Sequence, residues 1–458
     1  MRLPALVLLP GLLLAAPVYA AESPAAALAL HPVGIISLVI FVAAYVLVIA
    51  EERLQLAKSK PVMVGAGLIW LLVAAGTAAT GGDSAGVADA FQHIFLEFAE
   101  LFFFLIVAMS FVVALGERNV FGALRSALLS RGFGFRSLFW ITGLIAFFMS
   151  PVLDNLTTSL IMSAVILAVS GGNARFTTLA FINLVVAANA GGAWSAFGDI
   201  TTLMVWQAKR VEFFQFFALF LPSVVNWLVP AVIMSFALPP GAPGARDEDG
   251  EVRDGGWFMA ALFAFTIVVT VAAKQILHMP PVFGMMLGLA LLKLIGFWIQ
   301  RRERAMEGEP QYDIFRIIAR AEWDTLLFFY GVLVSVGGLA ALGYMHIASE
   351  GLYGTLGPTG ANIAMGVLSA IVDNIPIMYA VLQMNPVMDH SQWLLITLTC
   401  GVGGSLLSVG SAAGVALMGV SRGQYTFFGH LRWTWAIALG YIASVALQRG
   451  LSAAMPIP

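Results

Sequence analysis

Ser150-Pro151-Val152-Leu153-Asp154-Asn155-Leu156 and Ser369-Ala370-Ile371-Val372-Asp373-Asn374-Ile375 share a serine, an apolar frame and an Asp-Asn pair set into its middle. In a water-soluble chain such a phrase would be an ordinary loop. Here its surroundings forbid that reading. Of 458 residues, 60% are hydrophobic and 10% are Asp, Glu, Lys or Arg, against about 25% charged in a soluble domain. Apolar runs of about 20 residues recur along the whole length, as membrane-crossing helices require. The chain is therefore expected to be an all-α polytopic membrane protein with the lipid bilayer as its partner. A net charge of -2 leaves no basic face for nucleic acid, and a single cysteine, Cys400, excludes a disulfide framework or a thiolate metal site. No cofactor and no enzymatic activity are expected.

Working outward, two further matches occur in the same order. Phe98-Ala99-Glu100-Leu101 opens an apolar stretch, as Trp323-Asp324-Thr325-Leu326 does later. Gly191-Gly192 followed by Gly198-Asp199 pairs with Gly403-Gly404 followed by Gly410-Ser411, at one constant offset. Three matches in sequence read as an internal repeat, with repeat 1 over 94–238, a cytoplasmic connecting loop at 239–256, and repeat 2 with a final helix over 257–458. Residues 21–93 hold the preceding transmembrane helices. At the start, Arg2, the apolar run Ala5–Ala16 and Val18-Tyr19-Ala20 resemble a secretory signal, placed at 1–20.

Spans are expected near 34–50, 61–79, 94–115, 213–236, 257–273, 282–299, 323–345 and 433–448, with two interrupted regions, 137–208 and 360–420. Starting outside, alternate counting puts 17 basic residues in cytoplasmic segments and only Lys209, Arg210, Lys274 and Arg449 outside, the bias expected of a multi-pass inner-membrane protein. The stretch carrying Glu100 begins at a loop without basic residues and ends among arginines, while the one carrying Asp324 does the reverse. The repeats thus read as inverted, an architecture of secondary transporters. Ser-Pro, Asp-Asn, Asn-Pro and Gly-Gly interruptions at membrane depth free backbone groups that must face protein or a watery cavity.

Each carboxylate within a span is a functional candidate because its burial in lipid costs several kcal/mol. These are Glu97, Glu100, Asp154, Asp199, Asp324 and Asp373. Asp154-Asn155-Leu156-Thr157-Thr158 and Asp373-Asn374-Ile375-Pro376 place carboxylate, amide and hydroxyl oxygens at breaks where freed carbonyls converge. Hard cations such as Na⁺ or Li⁺ favour such donors. The competing structural reading is that Asn155 and Asn374 only cap half-helices. In Gly191–Thr202 the glycines suggest an unwound helix middle, with Asp199, Thr201 and Thr202 as ligands and Asn189 holding Asp199; Ser408 and Ser411 supply hydroxyls from the second copy. Helix-to-helix hydrogen bonding is the rival role for these polar positions. All six histidines are expected at span ends or in loops, as interfacial residues.

These three motifs closely resemble those of the NhaD-type sodium/proton antiporters of the ion transporter superfamily, and the resemblance covers nearly the whole chain. It implies extrusion of Na⁺, and of Li⁺, driven by inward H⁺. It also implies functional positions at Glu100, Asp154, Asn155, Asn189, Asp199, Thr201, Thr202, Ser369, Asp373, Asn374, Ser408 and Ser411. It further implies two re-entrant hairpins, about 137–170 and 360–388, and a homodimer whose transport units move against a scaffold.

The residues themselves supply a matching logic: Asp154 and Asp199 form the Na⁺ site with Asn155, Thr157, Thr201 and Thr202, and Asp373 with Asn374 completes it. Proton and Na⁺ then compete for the same oxygens. An arsenite or dicarboxylate carrier would want basic groups or helix N-termini at the site, where the sequence offers aspartates. An intramembrane aspartyl protease is a poor match because Ala196 breaks the Gly-x-Gly-Asp pattern, and a channel suits tightly buried acidic sites less well than a carrier does.

Overall fold

The structure, a computed structural model, describes residues 29–54, 56–242, 250–305, 313–421 and 423–454. The signal-like segment at 1–20 and two of the arginines counted as cytoplasmic, Arg246 and Arg422, lie outside the described residues. Among the described residues the regular structure is helical throughout, and ten helices are long and apolar enough to cross a membrane. The first half runs α1 Pro32–Ile49, α2 Glu51–Leu54, α3 Ser59–Ala79, α4 Ser84–Glu117, α5 Val120–Leu129, α6 Phe135–Leu153, α7 Asn155–Val169, α8 Ala174–Gly192, α9 Ile200–Gln207 and, after a 3-10 turn at Phe213–Leu219, α10 Phe220–Ser235. The second half runs α11 Gly256–Leu277, α12 Pro281–Ala305, α13 Ile314–Ala319, α14 Trp323–Ala341, α15 Tyr344–Leu368, α16 Asn374–Met384, α17 His390–Gly403, α18 Ala412–Val420, α19 Phe427–Leu431 and α20 Thr434–Ala454.

Most expected spans appear within a few residues of their reading. The largest difference is α4, which begins at Ser84 rather than near 94. Its first three turns carry Asp89, Gln92 and His93, polar enough to hide from a hydropathy reading yet fully compatible with helix. The 323–345 stretch also ends earlier than expected, at Ala341.

The chain forms two compact units, and each draws on both halves of the sequence. The first contains the described residues up to Ile106 together with Glu322–Ala361 and Tyr379–Val387. Its centre is α14 against α3. Gly331 meets Val62, Gly338 meets Ile69, and the Trp70 indole donates to the Val334 carbonyl at 2.8 Å. Small residues let helix backbones approach, which substitutes for a hydrophobic driving force between helices in lipid.

The second unit contains Val107–Ala321, Asn362–Met378 and the described residues from Met388 onward. Its centre is α8, whose residues from Leu179 to Gly192 are buried without interruption. The Asn183 amide donates to the Phe139 carbonyl on α6 at 2.9 Å and its oxygen accepts from the Trp227 indole on α10 at 2.9 Å. A buried carboxamide with both ends occupied is a stable way to lock three helices where water cannot serve as partner.

Candidate functional site

The site is built from helix breaks in the second unit. At the first, α6 ends at Leu153 and α7 starts at Asn155, with Asp154 between them at φ 63°, ψ 164°. Pro151, three residues back, cannot donate a helical hydrogen bond, and this helps to end α6. Asp154 Oδ1 accepts from the Thr157 amide at 2.8 Å, and Oδ2 accepts from the Thr157 hydroxyl at 2.9 Å. The cap of α7 is thus the aspartate, and Asn155 is its first helical residue. Asn155 faces inward, donating to Asn189 Oδ1 at 2.9 Å. The capping role considered for Asn155 belongs to its acidic neighbour.

The second break separates α8 from α9. The helix persists through Gly192, so unwinding is confined to 193–199, shorter than the Gly191–Thr202 expected. Asp199, 2% exposed, is the N-cap of α9: Oδ1 accepts from the Thr201 amide at 3.3 Å, while Thr202 Oγ1 accepts from the Asp199 amide at 3.2 Å and donates to its carbonyl at 2.7 Å. The third break separates α17 from α18, where Ser411 caps α18 by accepting from the Gly414 amide at 3.3 Å. Asp199 at φ -148°, ψ 151° and Ser411 at φ -143°, ψ 151° share one backbone conformation.

The correspondence extends to packing. Ser150 donates to the Ala188 carbonyl at 2.6 Å, and its match Ser369 donates to the Cys400 carbonyl at 3.1 Å. Ala188 and Cys400 stand at the same offset as Gly191 and Gly403. Gly191 lies hard against the Phe147 carbonyl and Gly403 against the Gly366 carbonyl, again at matching positions. At both places a serine and a glycine let the Asp-Asn segment lie against the broken helix.

The breaks then meet. Asn189, fully buried, accepts from Asn155 through Oδ1 and donates from Nδ2 to Ser405 Oγ at 2.8 Å and Ser411 Oγ at 3.0 Å. Asn374 Nδ2 donates to Asp199 Oδ2 at 2.8 Å, and the Cys400 thiol donates to the Asn374 carbonyl at 3.2 Å. Asp373 Oδ1 accepts from the Ile375 amide at 3.3 Å. Asp154 and Asp373 both act electrostatically on Asp199. Asn189 therefore holds Asn155 and Ser411, and the partner of Asp199 is Asn374 rather than the expected Asn189.

Among the described residues no three His, Cys, Asp or Glu side chains form a ligand cluster. Asp154 instead gathers an amide and a hydroxyl, Asp199 a backbone amide and a carboxamide, and Asp373 a backbone amide. Ser408 Oγ, Thr158 Oγ1 and Ser159 Oγ are buried without a hydrogen-bond partner, an arrangement that leaves oxygens for a ligand. Ser408 was legible as a candidate. Ser405 was not, because at the Gly191-to-Gly403 offset Ala193 stands opposite it.

Glu100 and Asp324 belong to the first unit. Asp324 Oδ1 accepts from Ser59, joining α14 to α3, and Glu97 Oε2 accepts from the Tyr379 hydroxyl at 2.9 Å. His93 lies 3.4 Å from Glu97. His430 stands just before the final span, as expected, but it is completely buried in the short helix α19, which corrects its reading as an interfacial residue.

Fold and site together define an α-helical, multi-pass inner-membrane protein whose polar centre is made by converging helix breaks. The family model described as "Citrate transporter" (CitMHS) matches residues 25–401. The chain belongs to this family of transporters, within its NhaD-type antiporter group. It is 51% identical to the Na(+)/H(+) antiporter NhaD of Alkalimonas amylolytica, covering 96% of this chain and 95% of that protein. Against the Na(+)/H(+) antiporter NhaD of Vibrio cholerae the identity is 50%, over 91% of each. Sodium/proton antiporter 1 of Arabidopsis thaliana is 31% identical over 88% of this chain and 70% of its own length.

Proposed function

We propose that this protein exchanges cytoplasmic Na⁺, and Li⁺, for external H⁺ by alternating access. The observation that carries the proposal is the meeting of Asp199, at the break between α8 and α9, with Asn374, the counterpart of Asn155, with Asp154 and Asp373 within electrostatic reach. Carboxylate, carboxamide and hydroxyl oxygens suit a hard monovalent cation, and they match the activity in the names of the NhaD relatives.

In this reading Asp154 and Asp199 supply the charge that neutralises Na⁺, Asn155, Thr157, Thr201 and Thr202 supply or orient neutral oxygens, and Asp373 with Asn374 closes the site from the second copy. Ser369, Ser411 and Asn189 hold the breaks in register, the Ser408 hydroxyl is open to the cation, and Glu100 and Asp324 are supporting carboxylates. A proton and Na⁺ compete for the same carboxylates, and the empty, doubly charged site is barred from crossing by the cost of bare charge in a low-dielectric barrier. Alternating access would come from exchange of conformation between two inverted repeats, with 137–170 and 360–388 as re-entrant hairpins and a homodimer as the working assembly.

The family description names citrate, but a tricarboxylate or other anion calls for donors and positive charge where this site presents acids. The test is dequenching of a pH-sensitive dye in energised everted vesicles on addition of NaCl, LiCl, KCl or citrate. A Na⁺ response lost in Asp199→Asn supports the reading; a response to citrate alone, or silence with every cation in vesicles that contain the protein, overturns it.

A further inference from the structure

Between α17 and α18 the chain unwinds, and the carbonyls of Ser405 and Leu406 lose their helical partners. Each is taken by a side chain from the segment that follows α18. The Thr434 hydroxyl donates to the Leu406 carbonyl at 2.8 Å, and His430 Nε2 lies 2.8 Å from the Ser405 carbonyl. A carbonyl can only accept, so Nε2 carries a proton, and complete burial keeps the ring neutral. Nδ1 is then an acceptor, and the Tyr425 hydroxyl stands 2.7 Å from it.

Tyr425 is itself held. Its ring packs edge-on against Phe181 of α8 at 5.9 Å, its carbonyl accepts from Ser421 at 3.1 Å, and the neighbouring Gln424 carbonyl accepts from Thr178 of α8 at 2.7 Å. His430 is thus fixed from behind, with its one donor aimed at the unwound backbone.

We infer that His430 is a positioning residue of the proposed cation site, clamping the Ser405 carbonyl so that the Ser405 hydroxyl stays on Asn189. This rests on the Na⁺/H⁺ reading of the site. The consequence follows from counting donors. Asn189 has two N–H groups, one on Ser405 Oγ and one on Ser411 Oγ, while its oxygen receives Asn155. If Ser405 turns away, one donor is orphaned, the carboxamide is free to rotate, and Asn155 loses its acceptor beside Asp154. The first broken helix has no equivalent, because Ala193 occupies the matching position. The clamp therefore belongs to one copy only.

The test uses the full-length protein in proteoliposomes, comparing His430→Ala, His430→Gln, Tyr425→Phe, Ser405→Ala and the His430→Ala/Ser405→Ala pair. The measurements are Na⁺ half-saturation, maximal exchange rate and amide hydrogen exchange over 404–411. His430→Ala is expected to raise half-saturation about tenfold with the maximal rate within about threefold, and to speed amide exchange in that stretch. His430→Gln, whose carboxamide can donate to Ser405 and accept from Tyr425, stays within about threefold of the parent. Tyr425→Phe, which leaves Nδ1 without its donor, falls between the two. The double variant is no worse than Ser405→Ala, because both changes act through one hydroxyl.

Unaltered half-saturation or unaltered amide exchange in His430→Ala overturns the clamp, as does full additivity in the double variant. If His430→Ala does not accumulate, a His430→Gln protein as impaired as Ser405→Ala overturns it equally. A parent protein without Na⁺-dependent exchange would sink the Na⁺/H⁺ reading, while the amide-exchange comparison would still decide whether His430 holds the break.

Discussion

At Asp154 the backbone stands at φ 63°, ψ 164°, a region populated almost only by glycine and costing a side-chain-bearing residue about 1–3 kcal/mol. An acid kept there, where glycine would be cheaper, is kept for its carboxylate. Asparagine bears the same backbone strain as aspartate there and caps a helix about as well. Asp154→Asn should therefore leave the melting temperature within about 3 °C of the parent while abolishing Na⁺-dependent dye dequenching; a variant with parental exchange would remove Asp154 from the site. Asp199 separates two roles more sharply. Asp199→Asn keeps an oxygen for the Thr201 amide, and its new Nδ2 can donate to Asn374 once that carboxamide flips, so fold survives and exchange falls by at least about 100-fold. Asp199→Ala loses the cap, about 1 kcal/mol, and orphans the buried Asn374 amide, about 1–3 kcal/mol more, so purified yield and thermal stability fall as well. These acids were legible in the sequence because a carboxylate in apolar text has few innocent explanations. His430 and Ser405 were not: a histidine near a span end looks interfacial, and its burial is decided by how the chain after α18 folds back onto α8 and the third break.

Among elements, the broken helices are defined by glycines that no other residue can replace. A Cβ at Gly191 would run into the Phe147 carbonyl, and one at Gly403 into the Gly366 carbonyl. The obstacles are backbone in both cases, so neither can yield by a rotamer change. Gly191→Ala and Gly403→Ala should each cost at least about 1–3 kcal/mol and displace a broken helix from its Asp-Asn segment, lowering both melting temperature and exchange. Gly351, in α15 with open space around its Cβ position, is the control: alanine there should be neutral or stabilise by up to about 1 kcal/mol, as thermal unfolding of the detergent-solubilised protein would report. Equal losses at all three positions would refute the packing argument. Helix existence was legible from apolar runs, whereas boundaries followed local chemistry that hydropathy does not see. The added turns of α4 are polar yet helical, and α8 persists to Gly192 because its glycines are packing faces rather than the point of unwinding.

Over the whole molecule, orientation rests on charge. Seventeen basic residues fall in segments read as cytoplasmic and four in segments read as external, and each misplaced charge resists translocation. With both broken helices counted as crossings and both Asp-Asn hairpins as re-entrant, the number of crossings is even and the end of α20 returns to the side on which α1 begins. That parity is a stringent test, because counting either hairpin as a full crossing reverses the final helix. Alkaline phosphatase fused behind Ala454 should be active and green fluorescent protein at the same position dark, whereas fusions truncated between α12 and α13 should give the opposite pair. If the fusion behind Ala454 fluoresces while the α12–α13 fusion also does, one hairpin spans the membrane. The matched breaks would then approach the cation from the same side, and alternating access through inverted repeats would have to be abandoned even with the chemistry at Asp154 and Asp199 intact.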